Sequence, residues 1–106
     1  MDYSESVRHS VNYINGHLLD DLSAEGIAKN EGYSVFHFCR VFKEVQGVSL
    51  MQYVRDKRLE QAHKEINLGK NKESLDDLAF KYGFETRSGF SRAYEKKYGI
   101  KPKKGA

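Results

Sequence analysis

The chain has 106 residues, of which 39% are hydrophobic and 31% are charged, a balance typical of one globular domain or two small lobes. It contains no apolar run that could span a membrane and no signal-peptide core, and its single cysteine excludes an internal disulfide. The net charge of +3 is uneven, because residues 1–50 carry −3 and residues 51–106 carry +6. This asymmetry indicates an anionic partner on one side, although a solvated charged surface explains it equally well.

The first predicted elements are an amphipathic helix over residues 4–17 and, after it, a helix-turn-helix. Hydrophobic side chains recur at helical spacing along the first helix at Val7, Val11, Ile14 and Leu18. Ser23 is expected to cap the second helix, and Gly32 to end it with a left-handed backbone that suits glycine. Ser34 is expected to cap the third helix, and Gly47 to close it.

The third helix has two chemically different faces. One face predicts a core stripe of Phe38, Val41, Phe42 and Val45. The other face carries Phe36, Cys39, Arg40 and Lys43. A helix held by one face and presenting apolar and cationic groups on the other suits a DNA major groove.

A long helix is predicted next, from the capping-box pattern of Ser49 and Gln52 to about Leu68. Its apolar positions are Val54, Leu59, Ala62 and Ile66. Such a helix would be about 30 Å long. Because successive major grooves on one DNA face are roughly 34 Å apart, we interpret it as a rigid spacer. Residues 69–72 are expected to end this helix, and Ser74 to cap the following one.

The helix-turn-helix pattern occurs twice. At an offset of 51, Ile27, Ala28, Gly32 and Tyr33 match Leu78, Ala79, Gly83 and Phe84. At an offset of 52, Phe38, Arg40, Phe42 and Gly47 match Phe90, Arg92, Tyr94 and Gly99. The sequence therefore predicts an all-α fold with two helix-turn-helix lobes, 1–48 and 69–106, joined by a linker helix over 49–68. The basic tail over 101–104 is expected to fray.

Candidate base-contacting side chains lie on the outer faces of the two predicted recognition helices. They are Val35, Phe36, Cys39 and Arg40 in the first lobe and Arg87, Ser88, Ser91 and Arg92 in the second. Arg40 can donate two hydrogen bonds to guanine, worth about 1–3 kcal/mol of discrimination. The alternatives for Arg40 are a phosphate contact or an internal salt bridge. Phe36 suits a thymine methyl group, and its alternative is packing against the preceding turn.

Candidate phosphate contacts flank these residues at Ser34, His37, Lys43, Thr86 and Lys96. Helix capping explains Ser34 and Thr86 without DNA, and a solvated surface explains the lysines. Glu95 occupies the repeat position of Lys43. Its carboxylate would repel phosphate unless it pairs with Arg92 or accepts a hydrogen bond from cytosine N4.

The sequence offers no metal, cofactor or catalytic constellation. His37 and His63 do not form a metal-ligand spacing with Cys39, and no nucleophile–base arrangement or glycine-rich phosphate loop is present. Two rival interpretations are kept. A DNA-repair transferase using Cys39 would become alkylated stoichiometrically at that cysteine. A helical protein-interaction module would bind its partner without sensitivity to salt.

The repeated A-x3-G-aromatic pattern, followed by F-x-R-x-F/Y, resembles the AraC/XylS family of bacterial transcription activators. So does Tyr53-x-x-x-x-Arg58-Leu59-x-x-Ala62 on the linker, and so does Tyr82-Gly83-Phe84 through Gly99-x-x-Pro102. The resemblance covers about residues 6–104. It implies an all-helical domain with two recognition helices in adjacent major grooves of an asymmetric site on double-stranded DNA, and contact with RNA polymerase. The implied protein is a cytoplasmic, nucleoid-associated regulator whose isolated domain is monomeric.

The chain departs from the family pattern at three points. Lys103-Lys104-Gly105-Ala106 stands where the family has a Tyr-Arg pair after the proline, and Cys39 stands where a polar base-reading residue is common. Many family members also carry a ligand-sensing domain, which this sequence does not contain. Both a small stand-alone activator and the DNA-binding domain of a longer ligand-sensing regulator fit the resemblance.

Overall fold

The computed structural model describes residues 3–68 and 73–103, and these residues form six α-helices and no strand. The helices are α1 (Ser4–Gly16), α2 (Ala24–Asn30), α3 (Val35–Gln46), α4 (Leu50–Leu68), α5 (Leu75–Lys81) and α6 (Arg87–Tyr98). The predicted all-α class is confirmed. The chain divides into two compact units, unit 1 (Met1–Lys57) and unit 2 (Arg58–Ala106). The expected end of the linker helix at residues 69–72 lies outside the described residues.

The core of unit 1 forms between α1, the helix-turn-helix of α2 and α3, and the start of α4. Its largest buried side chains are Val7, Ile14, Ile27, Phe38, Phe42, Leu50 and Val54. Burial of Val7 and Ile14 confirms the apolar face predicted for α1, which ends one residue earlier than expected. Ser10 lies between them and is also fully buried, and its hydroxyl donates to the Val7 carbonyl at 2.7 Å. That hydrogen bond satisfies a polar group that would otherwise be costly to bury.

Unit 2 repeats this arrangement with the second half of α4 in the place of α1. The buried residues Leu59, Ala62 and Ile66 follow the buried residues Val7, Ser10 and Ile14 at a constant offset of 52. The first half of α4 packs into unit 1 through Leu50 and Val54. The repeat is therefore a three-helix unit rather than a helix-turn-helix alone. The helix predicted as a spacer also supplies core side chains to both units.

The turn between the two helices of each motif has the same backbone geometry in both units. Gly32 and Gly83 have φ angles of 79° and 83°, in the left-handed region that favours glycine. Each glycine N–H donates to the carbonyl three residues earlier, and the next residue donates to the alanine carbonyl five residues earlier. These paired bonds form a Schellman motif, which satisfies carbonyls left open at the helix end. The predicted left-handed turn is confirmed at Gly32.

The predicted N-caps are confirmed by side-chain hydrogen bonds. The cap oxygen accepts from the backbone N–H three residues on at Ser23, Ser34, Ser49, Ser74 and Thr86, with distances from 3.0 to 3.4 Å. At their other ends, α3 and α6 close on Gly47 and Gly99, both of which have left-handed backbones. Both recognition helices are therefore capped at each end, which fixes their length at 12 residues.

Two expectations about core membership are wrong. Val45 is 43% exposed, because it lies in the last turn of α3, where the helix runs past the unit 1 core. Pro102 is buried, which contradicts the expected fraying of the tail at that residue. The chain turns back onto the core after Gly99, as it does after Gly47, where the repeat partner Leu50 is buried. Lys104, the last residue of the expected fraying segment, lies outside the described residues.

A buried tyrosine and an ion-paired lysine connect α4 to α5. The ammonium group of Lys81 lies 2.9 Å from Glu65 and 3.0 Å from Glu73. Hydrogen bonds to these two carboxylates raise the pKa of Lys81 above its usual range. Burial, together with the nearby charge of Glu65, raises the pKa of Tyr82 to about 12. Both groups therefore favour their protonated forms in the folded chain.

The raised pKa of Tyr82 predicts a loss of stability at alkaline pH. Below about pH 10 the tyrosine is protonated in both folded and unfolded chains, and its contribution is complete. Between about pH 10 and 12 the unfolded chain ionises first, so the free energy of unfolding falls. Tyr82→Phe should make this fall shallower in urea denaturation across that range, while Lys81 keeps its own pH dependence. Equal slopes for the two proteins would contradict the assignment.

The two turn glycines differ in their surroundings and should respond differently to substitution. A β-carbon at Gly83 would lie 2.7 Å from Nη1 of Arg58, whereas one at Gly32 would meet nothing within 4 Å. Gly32→Ala should therefore cost only the left-handed strain, about 1–2 kcal/mol of unfolding free energy. Gly83→Ala should cost more, because Arg58 must also move, and urea denaturation measures both losses. When Arg58 is also replaced by alanine, Gly83→Ala should cost no more unfolding free energy than Gly32→Ala. If the two glycine substitutions cost the same while Arg58 is present, the contact is disproved.

Candidate nucleic-acid interface

A row of aromatic rings anchors the inner face of each recognition helix. In unit 1 the ring of Phe38 lies 5.7 Å from Tyr33 and 6.1 Å from Phe42. In unit 2 the rings at the corresponding positions, Phe84, Phe90 and Tyr94, are separated by 5.4 and 5.8 Å. The first ring of each row follows the left-handed glycine, and the other two lie on the helix. The rows fix which face of α3 and α6 turns outward.

The outer face of α3 presents Phe36, Arg40 and Lys43 to solvent. Phe36 is 89% exposed, so it does not pack against the preceding turn. The guanidinium group of Arg40 makes no hydrogen bond or ion pair with any residue in 3–68 or 73–103. Val35 and Cys39 are half-buried and pack partly against the unit 1 core, so only part of each side chain faces outward.

Two of the predicted phosphate contacts in unit 1 have internal roles. The His37 ring lies edge-on against Tyr3 and Tyr33, with both centroid separations at 5.3 Å. The Ser34 hydroxyl accepts from the backbone N–H of His37 at 3.3 Å. Both residues stabilise the start of α3, as the capping alternative expects for Ser34. Thr86 has the same capping role at the start of α6, where it accepts from Gly89 at 3.0 Å.

The four predicted base contacts of unit 2 lie together along one groove of about 390 Å³ on the outer face of α6. The groove is lined by Arg87, Ser88, Ser91, Arg92, Glu95 and Lys101. For Lys101 the sequence predicts only a frayed tail, and for Glu95 it keeps two alternatives, pairing with Arg92 or accepting from cytosine N4. The repeat gives no signal for Lys101 in this groove, because its repeat partner Ser49 caps α4. Lys96 is exposed but does not line this groove.

The two arginine side chains of this groove make little interaction with other side chains of the protein. Arg87 Nε lies 3.8 Å from Asp76 Oδ1, and both side chains are about 60% exposed, so the pair contributes little to stability. The guanidinium group of Arg92 makes no hydrogen bond or ion pair in the part of the chain that the structure describes. The guanidinium groups of Arg40 and Arg92 therefore occupy equivalent, solvent-exposed positions in the two units.

His63 and Cys39, considered above as metal ligands, lie in separate local environments. The His63 ring stacks on Tyr98 at 4.1 Å, and its Nδ1 lies 2.6 Å from the Tyr94 hydroxyl, so it belongs to the unit 2 aromatic packing. Among the described residues, no group of three or more His, Cys, Asp or Glu side chains is placed to hold a metal ion. None of the described helices has the length and apolar character needed to cross a membrane.

The fold and this surface define a class of protein: an all-α domain with two helix-turn-helix units, each exposing the outer face of its second helix. A family model described as a helix-turn-helix domain matches residues 27–104. The chain belongs to this family, the AraC/XylS helix-turn-helix domains.

Curated relatives match most of this chain. It is 31% identical over 102 residues to the right origin-binding protein of Escherichia coli K12, covering 96% of this chain and 35% of the relative. It is 35% identical over 85 residues to the probable transcription factor PqrA of Proteus vulgaris, and the match covers 80% of this chain and 68% of PqrA. The chain spans about a third of the length of the first curated relatives it matches.

Solved structures share the fold. A probable AraC family transcriptional regulator from Rhodopseudomonas palustris superposes with a TM-score of 0.85 at 26% identity, covering 92% of this chain and 91% of that one. The DNA-binding domain of AdpA, solved in complex with a target DNA, superposes with a TM-score of 0.79 at 23% identity. The superposition covers 92% of this chain and 86% of that one.

Proposed function

We propose that this chain is the sequence-specific DNA-binding domain of a bacterial transcription regulator, acting as an activator. In this proposal α3 and α6 each enter a major groove of double-stranded DNA. The observation that carries it is the duplicated geometry. The same glycine turn, N-cap and aromatic anchor present two 12-residue helices with an exposed arginine at the same position, Arg40 in one and Arg92 in the other.

The exposed side chains have the chemistry that base edges recognise. A guanidinium group can donate two hydrogen bonds to O6 and N7 of guanine, so Arg40 and Arg92 are the principal proposed base contacts. Phe36 offers an apolar contact for the C5-methyl group of thymine. Ser88 and Ser91 offer hydroxyl groups that donate to or accept from several bases. Val35, Cys39 and Arg87 complete the proposed base-contacting set.

Phosphate contacts would fix the register of each helix on the DNA. Lys43 and Lys96 are exposed cations beside the recognition faces, and neutralising phosphates with such groups supplies salt-sensitive affinity. Ser34 and Thr86 cap α3 and α6, and His37 lies in the first turn of α3. Because a helix N-terminus carries partial positive charge, these residues are placed where backbone N–H groups can meet phosphate.

The remaining parts of the proposal come from the family. Reading two successive major grooves gives a site of two blocks, with the segment 49–68 connecting the lobes 1–48 and 69–106. We also propose contact with RNA polymerase, a monomeric isolated domain and a nucleoid-associated, cytoplasmic location. We assign the chain no catalytic activity and no cofactor. A stand-alone regulator and a longer ligand-sensing one would use the same interface.

Selection of bound sequences from a random duplex pool tests the two-helix proposal. The wild-type chain should enrich two blocks about one helical turn apart. Arg40→Ala should lose guanine preference in one block and Arg92→Ala in the other, each by about 1–3 kcal/mol. Arg8→Ala, which removes an exposed cation from α1 outside both proposed recognition helices, should leave the motif unchanged. Absence of any enriched motif, with weak binding that vanishes as salt rises, would leave only a basic surface.

Deletion of single methyl groups from the selected site tests Phe36. Replacing each thymine in turn by deoxyuridine removes only the C5-methyl group. One such replacement should cost the wild-type chain about 0.8 kcal/mol of binding free energy. Phe36→Ala should be insensitive at that position, and its unfolding free energy should stay within about 0.5 kcal/mol of wild type because the ring is exposed. Identical deoxyuridine profiles for both proteins would exclude the methyl contact.

A further inference from the structure

One carboxylate lies among the cations of the α6 groove. Glu95 lines it together with Arg87, Arg92 and Lys101. The repeat partner of Glu95 in α3 is Lys43, so the two recognition helices carry opposite charges at this position. The carboxylate of Glu95 is exposed and makes no hydrogen bond or ion pair with any other residue that the structure describes, whereas its backbone carbonyl accepts from the Gly99 N–H at 2.7 Å. The carboxylate itself therefore does not stabilise the fold through a hydrogen bond or an ion pair.

The position of Glu95 on the helix places it beside the proposed base-reading side chains. It follows Arg92 by three residues and Ser91 by four, and residues at these spacings are neighbours on a helix surface. A carboxylate facing a phosphate would weaken binding, because like charges repel and no counterion would be released. Its presence in the groove is therefore best explained by a hydrogen-bond donor on a base edge.

We infer that Glu95 is a specificity-determining residue that accepts a hydrogen bond from the N4 amino group of a cytosine. This inference rests on the proposed function. A carboxylate only accepts hydrogen bonds, and in the major groove cytosine presents a donor where thymine presents the acceptor O4. Guanine presents two acceptors, and adenine presents an acceptor beside its amino group. Glu95 thus favours cytosine and is repelled by the acceptors of guanine and thymine, while adenine presents its amino donor next to the acceptor N7.

The presence of both Glu95 and Arg92 on the outer face of α6 also sets the composition of the second half-site. Arg92 donates to guanine while Glu95 accepts from cytosine, so this block of the site contains G·C pairs. The equivalent face of α3 combines Arg40 with the exposed ring of Phe36 and with Lys43, and it has no acceptor-only group at the equivalent position. The two blocks of the DNA site are therefore chemically different, and the site is asymmetric.

The test combines selection with one modified base. The wild-type chain, Glu95→Ala and Glu95→Lys are selected against the same random duplex pool, with Glu85→Ala as a matched control. Glu85 is an exposed carboxylate in the turn before α6 and does not line the groove. The cytosine is then replaced by N4-methylcytosine, which still pairs with guanine but carries a methyl group in place of the major-groove hydrogen.

If Glu95 accepts from cytosine N4, the wild-type chain should prefer cytosine at one position of the second block. Replacing that cytosine by N4-methylcytosine should then lower the affinity of the wild-type chain for the DNA about tenfold. Glu95→Ala should lose the cytosine preference and the sensitivity to N4-methylcytosine at that position alone. Glu95→Lys should prefer guanine or thymine there. Glu85→Ala should keep the wild-type motif.

Two other results would overturn it in distinguishable ways. If Glu95→Ala binds all sequences more tightly and keeps the cytosine preference, the carboxylate only repels phosphate, and the proposed function stands without this residue. If the wild-type chain enriches no motif at all, the proposed function fails and the inference fails with it.

Discussion

The structure depends on one backbone constraint, the left-handed glycine between the two helices of each unit. Gly32 and Gly83 turn the chain sharply while their Schellman hydrogen bonds satisfy the carbonyls at the end of the preceding helix. The aromatic residue that follows each glycine then contacts the first buried ring of the next helix. The turn and the ring contact together fix the rotation of α3 and α6. That rotation decides which side chains are available to a partner.

The two units share this scaffold and differ in the surface it presents. The buried positions of α3 and α6 keep their aromatic character, because the turn and the core require it. The exposed positions are free of that requirement, and there Phe36 corresponds to Ser88 and Lys43 to Glu95. The two copies of the repeat thus share their packing and differ in the chemistry of their exposed faces. In the proposed function this difference gives each half of the DNA site its own composition.

The long helix α4 belongs to both cores. Leu50 and Val54 pack in unit 1, whereas Leu59, Ala62 and Ile66 pack in unit 2. A substitution at these buried positions would therefore act on the core of one particular unit. Arg58 adds a second connection within unit 2, because its guanidinium group approaches the turn at Gly83. Helix α4 therefore stabilises the cores of both units, in addition to any role as a spacer.

The sequence by itself determined the helices, their caps and the glycine turns, because these depend on residues within one or two turns of each other. It also showed the repeat, because the same local pattern occurs twice at offsets of 51 and 52. Serine caps, left-handed glycines and 3.6-residue periodicity are local properties, and they carried the family resemblance. Helical periodicity also showed that Arg40 faces outward. It did not show how far the core extends along α3, so the prediction that Val45 is a core residue is wrong.

Only the tertiary structure decided which distant groups meet. It brought Lys101 into the α6 groove, buried Pro102 against its unit and placed His37 between the rings of Tyr3 and Tyr33. These outcomes depend on the packing of segments that are separated along the chain. No local pattern specifies the surface on which such a segment comes to rest, because that surface exists only after the core has formed.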